Sequence, residues 1–146
     1  MEIENLSLRI DEAPLNELIA SRLPKGTNLQ EIKVLLQENE VTLEGKYFAV
    51  MFSVGFKVIL DLQLAGDKIL VNFKDFKIQR MPAALFKNML IEFISDQTSD
   101  ITGITTNEQG IVIEPEIILA SEGIKLGGKL RKIECLNGSV RILAGN

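Results

Sequence analysis

The most regular pattern in the sequence is an alternation of residues over positions 48–64. Every second residue from Phe48 to Leu64 is apolar, and Lys57 and Asp61 are among the residues between them. Because successive side chains of a β-strand point to opposite faces, this period of two predicts a strand and not a helix. Fully extended, the run would measure about 55 Å at about 3.3 Å per residue. The pattern therefore predicts either one unusually long, curved strand or a break near Gly55.

Shorter alternating segments lie on both sides of this run. They cover residues 32–36 and 41–43 before it and 69–78 after it, and the residues between them predict turns at 38–40 and 65–67. Segments joined by such short turns are typical of antiparallel strands. We therefore expect the middle of the chain to form an antiparallel sheet.

The alternation changes phase at two places within these strands. One phase change falls at Gly45, and the other falls at Lys74-Asp75. A phase change inside a strand, above all at glycine, indicates a β-bulge or a bend. Two bulges in long paired strands predict a strongly bent sheet.

Two segments show the spacing of amphipathic helices. The first begins at Asp11, which is suited to an N-cap, and ends at Pro24 and Gly26. The second begins at Pro82 and ends near Ser99. Its apolar stripe consists of Leu85, Phe86, Met89, Leu90, Phe93 and Ile94.

The last third of the chain predicts further strands. Ile111 and Ile113 alternate, Pro115 interrupts, and the alternation is expected to resume at Ile117 and Leu119. Asn137-Gly138 is a strong signal for a β-hairpin turn. The whole sequence predicts one α+β domain over residues 1–146, with a long, curved, bulged antiparallel sheet packed around two amphipathic helices.

Composition and charge argue against several classes of partner. The formal charge of the 146 residues is −4 and the basic residues are scattered, whereas a nucleic-acid-binding domain concentrates them on one face. The same net charge makes an anionic membrane a poor electrostatic partner. The N-terminus does not have the pattern of a signal peptide, and no stretch of about 20 apolar residues predicts a transmembrane helix. A cytoplasmic location is the default expectation.

The residue types do not favour catalysis. The chain contains no histidine, so the usual Ser-His-Asp and Cys-His arrangements and most zinc sites are not expected. Asp61 and Asp75 are placed to lie on neighbouring strands, although a solvated sheet face is the more ordinary role for them. The single cysteine, Cys135, is expected to be a small buried residue. We therefore expect a protein that is not an enzyme, with no catalytic residues, no metal site and no cofactor.

The most informative feature for function is the set of alternating apolar residues in the run 48–64, which we call the apolar strip. The two predicted helices would measure only about 18 Å and 24 Å at about 1.5 Å per residue, so they are too short to cover it. Either the strip is ordinary core, or the remaining apolar surface meets a ligand, a partner chain or a membrane. The residues proposed to line an apolar site are Phe48, Val50, Met51, Phe52, Val54, Phe56, Val58, Leu85, Phe86, Met89 and Phe93.

The order of elements resembles the tubular lipid-binding (TULIP) superfamily, and it is most similar to small bacterial members with a single unit. The segments that carry the resemblance are Val41-Thr42-Leu43-Glu44-Gly45, the run 48–64, the helix from Pro82, Gly110-Ile111-Val112-Ile113 and Gly123-Ile124-Lys125-Leu126. The resemblance implies a curved sheet around a long helix, with acyl chains in the gap and no catalytic residues. Many members are secreted or membrane-anchored, and this chain shows no segment of either kind.

These observations leave three functional hypotheses, of which an enzyme that uses only carboxylates, Tyr47 or Ser/Thr is the least favoured. The first is binding or carrying of a lipid-like apolar ligand in a cavity between the sheet and the helix. The alternative is a self-assembling module that buries the apolar face of the sheet in a homo-oligomer, for which a homodimer is the simplest form.

Overall fold

The computed structural model describes residues 1–146 and contains eleven strands and three helices. In chain order they are β1 (Glu2–Ile3), β2 (Leu6–Asp11), α1 (Glu12–Arg22), β3 (Leu29–Gln37), β4 (Glu40–Phe48), β5 (Ser53–Ala65), β6 (Lys68–Ile78), α2 (Ala83–Thr98), β7 (Ile104–Asn107), β8 (Gly110–Ile113), α3 (Pro115–Ser121), β9 (Lys125–Leu126), β10 (Lys129–Leu136) and β11 (Ser139–Gly145). The α+β class and the predominance of antiparallel strands are confirmed.

The strands form three sheets. The largest has six antiparallel strands in the order β3-β4-β5-β6-β8-β7, and it does not close into a barrel. A second sheet has three antiparallel strands in the order β10-β11-β2, and β1 pairs with β9 in parallel. None of the three helices is both long enough and apolar enough to cross a membrane.

The alternating run 48–64 is not a single strand, and it does not break at Gly55. The chain leaves β4 after Phe48 and enters β5 at Ser53, and Gly55 lies inside β5. Residues 49–52 form a hairpin loop in which the Ala49 N–H donates to the Phe52 carbonyl at 2.8 Å. The prediction failed here because the loop contains no Gly, Pro, Asn or Asp and keeps the apolar alternation.

Both predicted bulges are present. At the first, Glu31 and Ile32 of β3 lie opposite the single residue Gly45, so the extra residue belongs to β3 and not to the strand that carries the glycine. Glu31 has φ 55°, which is uncommon for a residue with a side chain. At the second, Lys74 of β6 is the extra residue opposite β5.

The first helix covers the exposed edge of the large sheet. Helix α1 begins directly after Asp11, as predicted, but Asp11 makes no cap hydrogen bond. The Glu12 carboxylate accepts from the Leu36 N–H at 2.7 Å, and the Asn16 side chain accepts from the Val34 N–H at 2.6 Å and donates to the Val34 carbonyl at 2.8 Å. These side chains bond backbone groups that an edge strand otherwise leaves free.

The C-terminal third differs from the prediction at Pro115. Residues Pro115–Ser121 form a third helix, with proline at its first position, where the missing N–H is tolerated. The expected strand through Ile117 and Leu119 is therefore wrong. Strand β2, which pairs with β11, was also not predicted. The helix from Pro82 and the hairpin at Asn137-Gly138 are present as predicted.

One core cluster joins α2 to the large sheet. Phe86 is fully buried, and its ring centroid lies 4.7 Å from that of Phe56, 6.3 Å from that of Phe76 and 6.5 Å from that of Tyr47. Leu90, one turn further along α2, is also buried and belongs to the same cluster. Aromatic contacts of this kind add to the stabilisation that burial alone provides.

The three-stranded sheet is joined to the large sheet at two hairpin turns. The Cys135 thiol of β10 donates to the Gln37 carbonyl at 3.1 Å, and the Asn39 N–H donates to the Cys135 carbonyl at 3.0 Å. The Gly138 N–H donates to the Leu36 carbonyl at 2.9 Å. The expected role of Cys135 as a small buried residue is confirmed.

We predict that Gly45→Ala lowers the free energy of unfolding by about 1–3 kcal/mol, because a methyl group there overpacks the core. A Cβ at Gly45 would lie 2.9 Å from Cζ of the buried Phe56 and 3.1 Å from the Gln30 carbonyl oxygen. Gly55→Ala in the adjacent strand is the control, since its Cβ would meet no atom within 4 Å. Urea unfolding measures both variants, and equal stability of the two would contradict the steric argument.

We predict that Cys135 reacts slowly with iodoacetamide in the native protein and rapidly in denaturant. Burial raises the pKa of the thiol, and only the thiolate is the nucleophile, so little reactive form is present at pH 8. Mass spectrometry of timed samples measures the labelled fraction. A native rate equal to the rate in denaturant would show that the hairpin junction does not protect the thiol.

Candidate functional site

The eleven residues proposed from the sequence fall into two groups in the structure. Six of them belong with the core: Val54, Phe56, Val58 and Phe86 are buried, and Met89 and Phe93 are half-buried. The other five are exposed and lie at the end of β4, in the β4–β5 loop and in the first turn of α2. The proposed residues therefore do not form the lining of one buried cavity, because some belong to the core and others to the surface.

The five exposed residues define a surface that we call the apolar end: Phe48, Val50, Met51, Phe52 and Leu85. Val50 is 100% exposed and Met51 is 88% exposed, while Leu85 is 52% exposed. Phe48 and Phe52 are about one-third exposed. Single exposed apolar residues are ordinary, but several at one end of a domain mark an interaction surface.

Backbone hydrogen bonds hold the loop of the apolar end in place. The Phe48 N–H donates to the Asn28 carbonyl at 2.7 Å, so the loop is fixed to the segment that precedes β3. The bond between Ala49 and Phe52 closes the loop itself. Since the ends of the loop are bonded, Val50 and Met51 project from a defined base.

A cation lies against the apolar end. The Arg80 guanidinium is 5.9 Å from the centroid of the Phe52 ring, a distance at which a cation is attracted to an aromatic face. Arg80 has φ 69°, and it lies in the short connection between β6 and α2. This connection also leads to Leu85, so the loop and the first turn of α2 meet at the same end of the sheet.

The apolar end is close to the core of the protein. Leu85 and Phe86 are consecutive residues of α2, and the first is exposed while the second is fully buried. Beyond them, a set of apolar side chains is only partly covered: Phe73, Phe76, Met81, Met89, Phe93 and Ile94. Partly exposed apolar side chains therefore lie on α2, on β6 and in the connection between them.

A shallow depression of about 680 Å³ lies beside the apolar end on the outer face of the large sheet. Half of its twelve lining residues are charged, namely four lysines and two glutamates, and two of these lysines, Lys57 and Lys77, lie directly opposite each other in β5 and β6. Lys46 also lines it and forms an ion pair with Glu31 at 3.1 Å. Of the eleven proposed residues, only Phe56 contributes to this lining.

A cleft of about 490 Å³ lies near the junction of the two sheets and has mixed charge. It includes Asp61, whose Oδ1 is buried without a hydrogen-bond partner, and Lys74 of the second bulge. Lys132 bonds Glu134 at 2.9 Å, and this hydrogen bond lowers the pKa of the Glu134 carboxyl. None of the eleven proposed residues lines the cleft.

The acidic residues do not assemble into a recognisable reactive group. Asp61 lies opposite Asn72 and Asp75 lies opposite Ile59, so the two carboxylates are on neighbouring strands but are not a facing pair. No group of three or more acidic or thiol side chains is close enough to hold a metal ion. The chemistry that the arrangement offers most directly is contact with apolar groups.

Sequence reasoning did not identify the basic residues around the apolar end. Arg80 is brought to Phe52 by a backbone with positive φ, which nothing in the sequence signals. The opposition of Lys57 and Lys77 depends on the bulge at Lys74, because the extra residue shifts the register of β6. The bulge itself was visible in the sequence, so this pair was within reach of a register argument.

Comparison of the chain with protein-family models, with curated proteins and with solved structures finds no match.

Proposed function

We propose that the protein binds a lipid-like apolar ligand between α2 and the inner face of the large sheet, and that the ligand enters at the apolar end. The observation that carries this proposal is an excess of exposed surface. The chain exposes 8876 Å², whereas a compact monomer of 16.2 kDa is expected to expose about 7,450 Å². The difference is about 1,400 Å².

The position of the uncovered apolar side chains supports this placement. The half-buried residues Met89 and Phe93 lie on α2, and the half-buried residues Phe73 and Phe76 lie on β6. Phe76 contacts Phe86 of α2, so α2 and β6 meet there. A ligand that covered these side chains would complete a core that the chain leaves partly open.

Contacts at the far end of α2 support a curved sheet in this proposal. Helix α2 contacts β6 and β7, which lie towards one edge of the large sheet. Just beyond α2, Asp100 meets Arg22 at 3.5 Å, and Arg22 belongs to the helix that covers β3 at the opposite edge. Elements from both edges of the sheet near one helix favour a sheet that bends around it, as the TULIP resemblance implies.

Burial of an acyl chain would supply the binding energy. Each methylene transferred from water contributes about 0.8 kcal/mol, so a chain of moderate length provides enough energy before the costs of association. Met89 and the exposed Met51 are flexible side chains that adapt to ligands of different shape. We therefore expect affinity for a class of acyl compounds more than for a single molecule.

We predict that the protein binds a fluorescent fatty acid and that Met89→Gln weakens this affinity at least about tenfold, because an amide placed against an acyl chain loses hydrogen bonds to water. Fluorescence titration measures the affinity, and thermal unfolding checks that the variant folds. Leu18→Gln is the control, since Leu18 is 58% exposed on α1, outside the proposed site. If native mass spectrometry shows only the bare chain and no fatty acid is taken up, the proposal is wrong.

The alternative function, self-assembly, is favoured by the same excess of surface. A standard protein interface buries about 800 Å² on each partner, which is less than the excess surface of about 1,400 Å². The projecting side chains Val50 and Met51 would then lie against a second copy, most simply about a two-fold axis.

We predict different masses in solution for the two functions. If the chain binds a ligand as a monomer, light scattering after size-exclusion chromatography gives the monomer mass at all concentrations. If it self-assembles through the apolar end, the unmodified chain is a dimer and Val50→Ser with Met51→Ser gives a monomer, because the main buried apolar contacts are lost. A monomer mass for the unmodified chain at high micromolar concentration would contradict self-assembly.

A further inference from the structure

We propose that the apolar end docks on the surface of an anionic lipid bilayer. Val50 and Met51 enter the interfacial region of the bilayer, and the surrounding basic side chains lie near the lipid phosphates. Docking goes beyond the binding of a single lipid-like ligand and does not depend on it, although it would bring the apolar end to a source of such ligands.

The first argument is the local charge. Residues 45–58 and 76–91, which form the hairpin around the apolar end and the start of α2, contain Lys46, Lys57, Lys77, Arg80 and Lys87 and no acidic residue. The whole chain has a formal charge of −4. Two glutamates of neighbouring strands lie near these cations, since Glu31 pairs with Lys46 and Glu44 lies opposite Lys57. The five basic residues still outnumber these two carboxylates, so the local charge favours an anionic surface more than the net charge does.

The second argument is the placement of these cations. Arg80 lies over Phe52, directly at the apolar end. Lys57 and Lys77 are a facing pair of like charge, which is unfavourable in a sheet, and of the two only Lys57 also faces a carboxylate, that of Glu44 on β4. Both side chains belong to exposed residues on the outer face of the sheet, so a phosphate is able to approach them.

The start of α2 adds to the positive potential at this end. The helix has no side-chain cap and no acidic residue in its first turn. Ala83, Ala84 and Leu85 are all exposed, so this uncapped first turn is open to solvent. The positive end of a helix dipole is favourable near negative charge.

Exposed apolar side chains surrounded by basic residues fit the surface of an anionic bilayer better than they fit the same surface on a second copy of the chain. Two copies that met through the apolar end would bring their basic groups together, and like-charge contacts of this kind are costly. An anionic bilayer instead offers an apolar interior for Val50 and Met51 and phosphates for the cations. We therefore assign the surface to lipid and not to self-contact.

A single tryptophan at the apolar end tests insertion directly. The chain contains no tryptophan, so Val50→Trp provides the only indole signal. With vesicles of phosphatidylcholine and phosphatidylglycerol we expect a blue shift of its emission and quenching by lipids labelled in the acyl chain. Leu18→Trp, at an exposed position on α1, is the control and should show neither effect.

Vesicle flotation distinguishes the contribution of charge to binding from the contribution of apolar contact. We expect Val50→Ser with Met51→Ser to lower binding to anionic vesicles at least about tenfold, because both inserted side chains are lost. Lys57→Gln with Lys77→Gln should lower it about fivefold and weaken its salt dependence, since the pair lies slightly away from the apolar end. Lys68→Gln with Lys74→Gln is the matched control on β6, with the same loss of charge but away from the apolar end.

Three results would overturn the proposal. One is equal binding to pure phosphatidylcholine and to anionic vesicles, and another is an unchanged emission of Val50→Trp on addition of vesicles. The third is a loss of dimer, with vesicle binding unchanged, when Val50 and Met51 are replaced by serine. Uptake of soluble fatty acid is measured separately, so docking can fail while ligand binding holds, and the reverse.

Discussion

The fold depends on one constraint: the apolar inner face of the six-stranded sheet must be buried, and two separate elements contribute to covering it. At one end α2 covers it, mainly through Phe86 and Leu90. At the other end the three-stranded sheet covers it, with Cys135 and Val140 in the same core cluster. A sheet must bury an apolar face against another layer, and here two unrelated elements share that task. Neither element covers the loop of the β4–β5 hairpin, in which Val50 and Met51 are exposed.

The same constraint explains why polar side chains are conspicuous at the edges and junctions. Glu12 and Asn16 bond the backbone of β3, which would otherwise be an open strand edge. Cys135 and Asn39 connect the two hairpin turns where the sheets meet. Each buried backbone group bonded in this way avoids a penalty of about 1–3 kcal/mol. The polar contacts thus fix the position of the layers, and the apolar contacts supply most of the stabilisation.

Much of the architecture was predictable from local patterns, and the failures have physical reasons. The helix from Pro82, the bulge at Lys74 and the hairpin at Asn137 each have a signal within a few residues. The loop at 49–52 has none, because apolar residues continue the strand pattern through the turn. Strand β2 depends on pairing with β11 more than 120 residues away, a contact that no local pattern reveals. The same holds for the candidate site. Its apolar residue types were visible in the sequence, but the hairpin loop at 49–52, which was not predicted, separates the side chains that are buried from those that are exposed.

The exposed residues of the apolar end cost the isolated fold little, and this bears on their role. Val50 is fully exposed in the folded protein, so folding gains nothing from its apolar side chain and loses nothing either. What such residues lower is solubility, unless their surroundings are charged. The basic residues nearby supply that charge, while the remainder of the chain is acidic enough to bring the total to −4. Near an anionic surface, a molecule with this asymmetry is attracted at one end and repelled at the other, so its charge would orient the apolar end towards the lipid before any side chain makes contact.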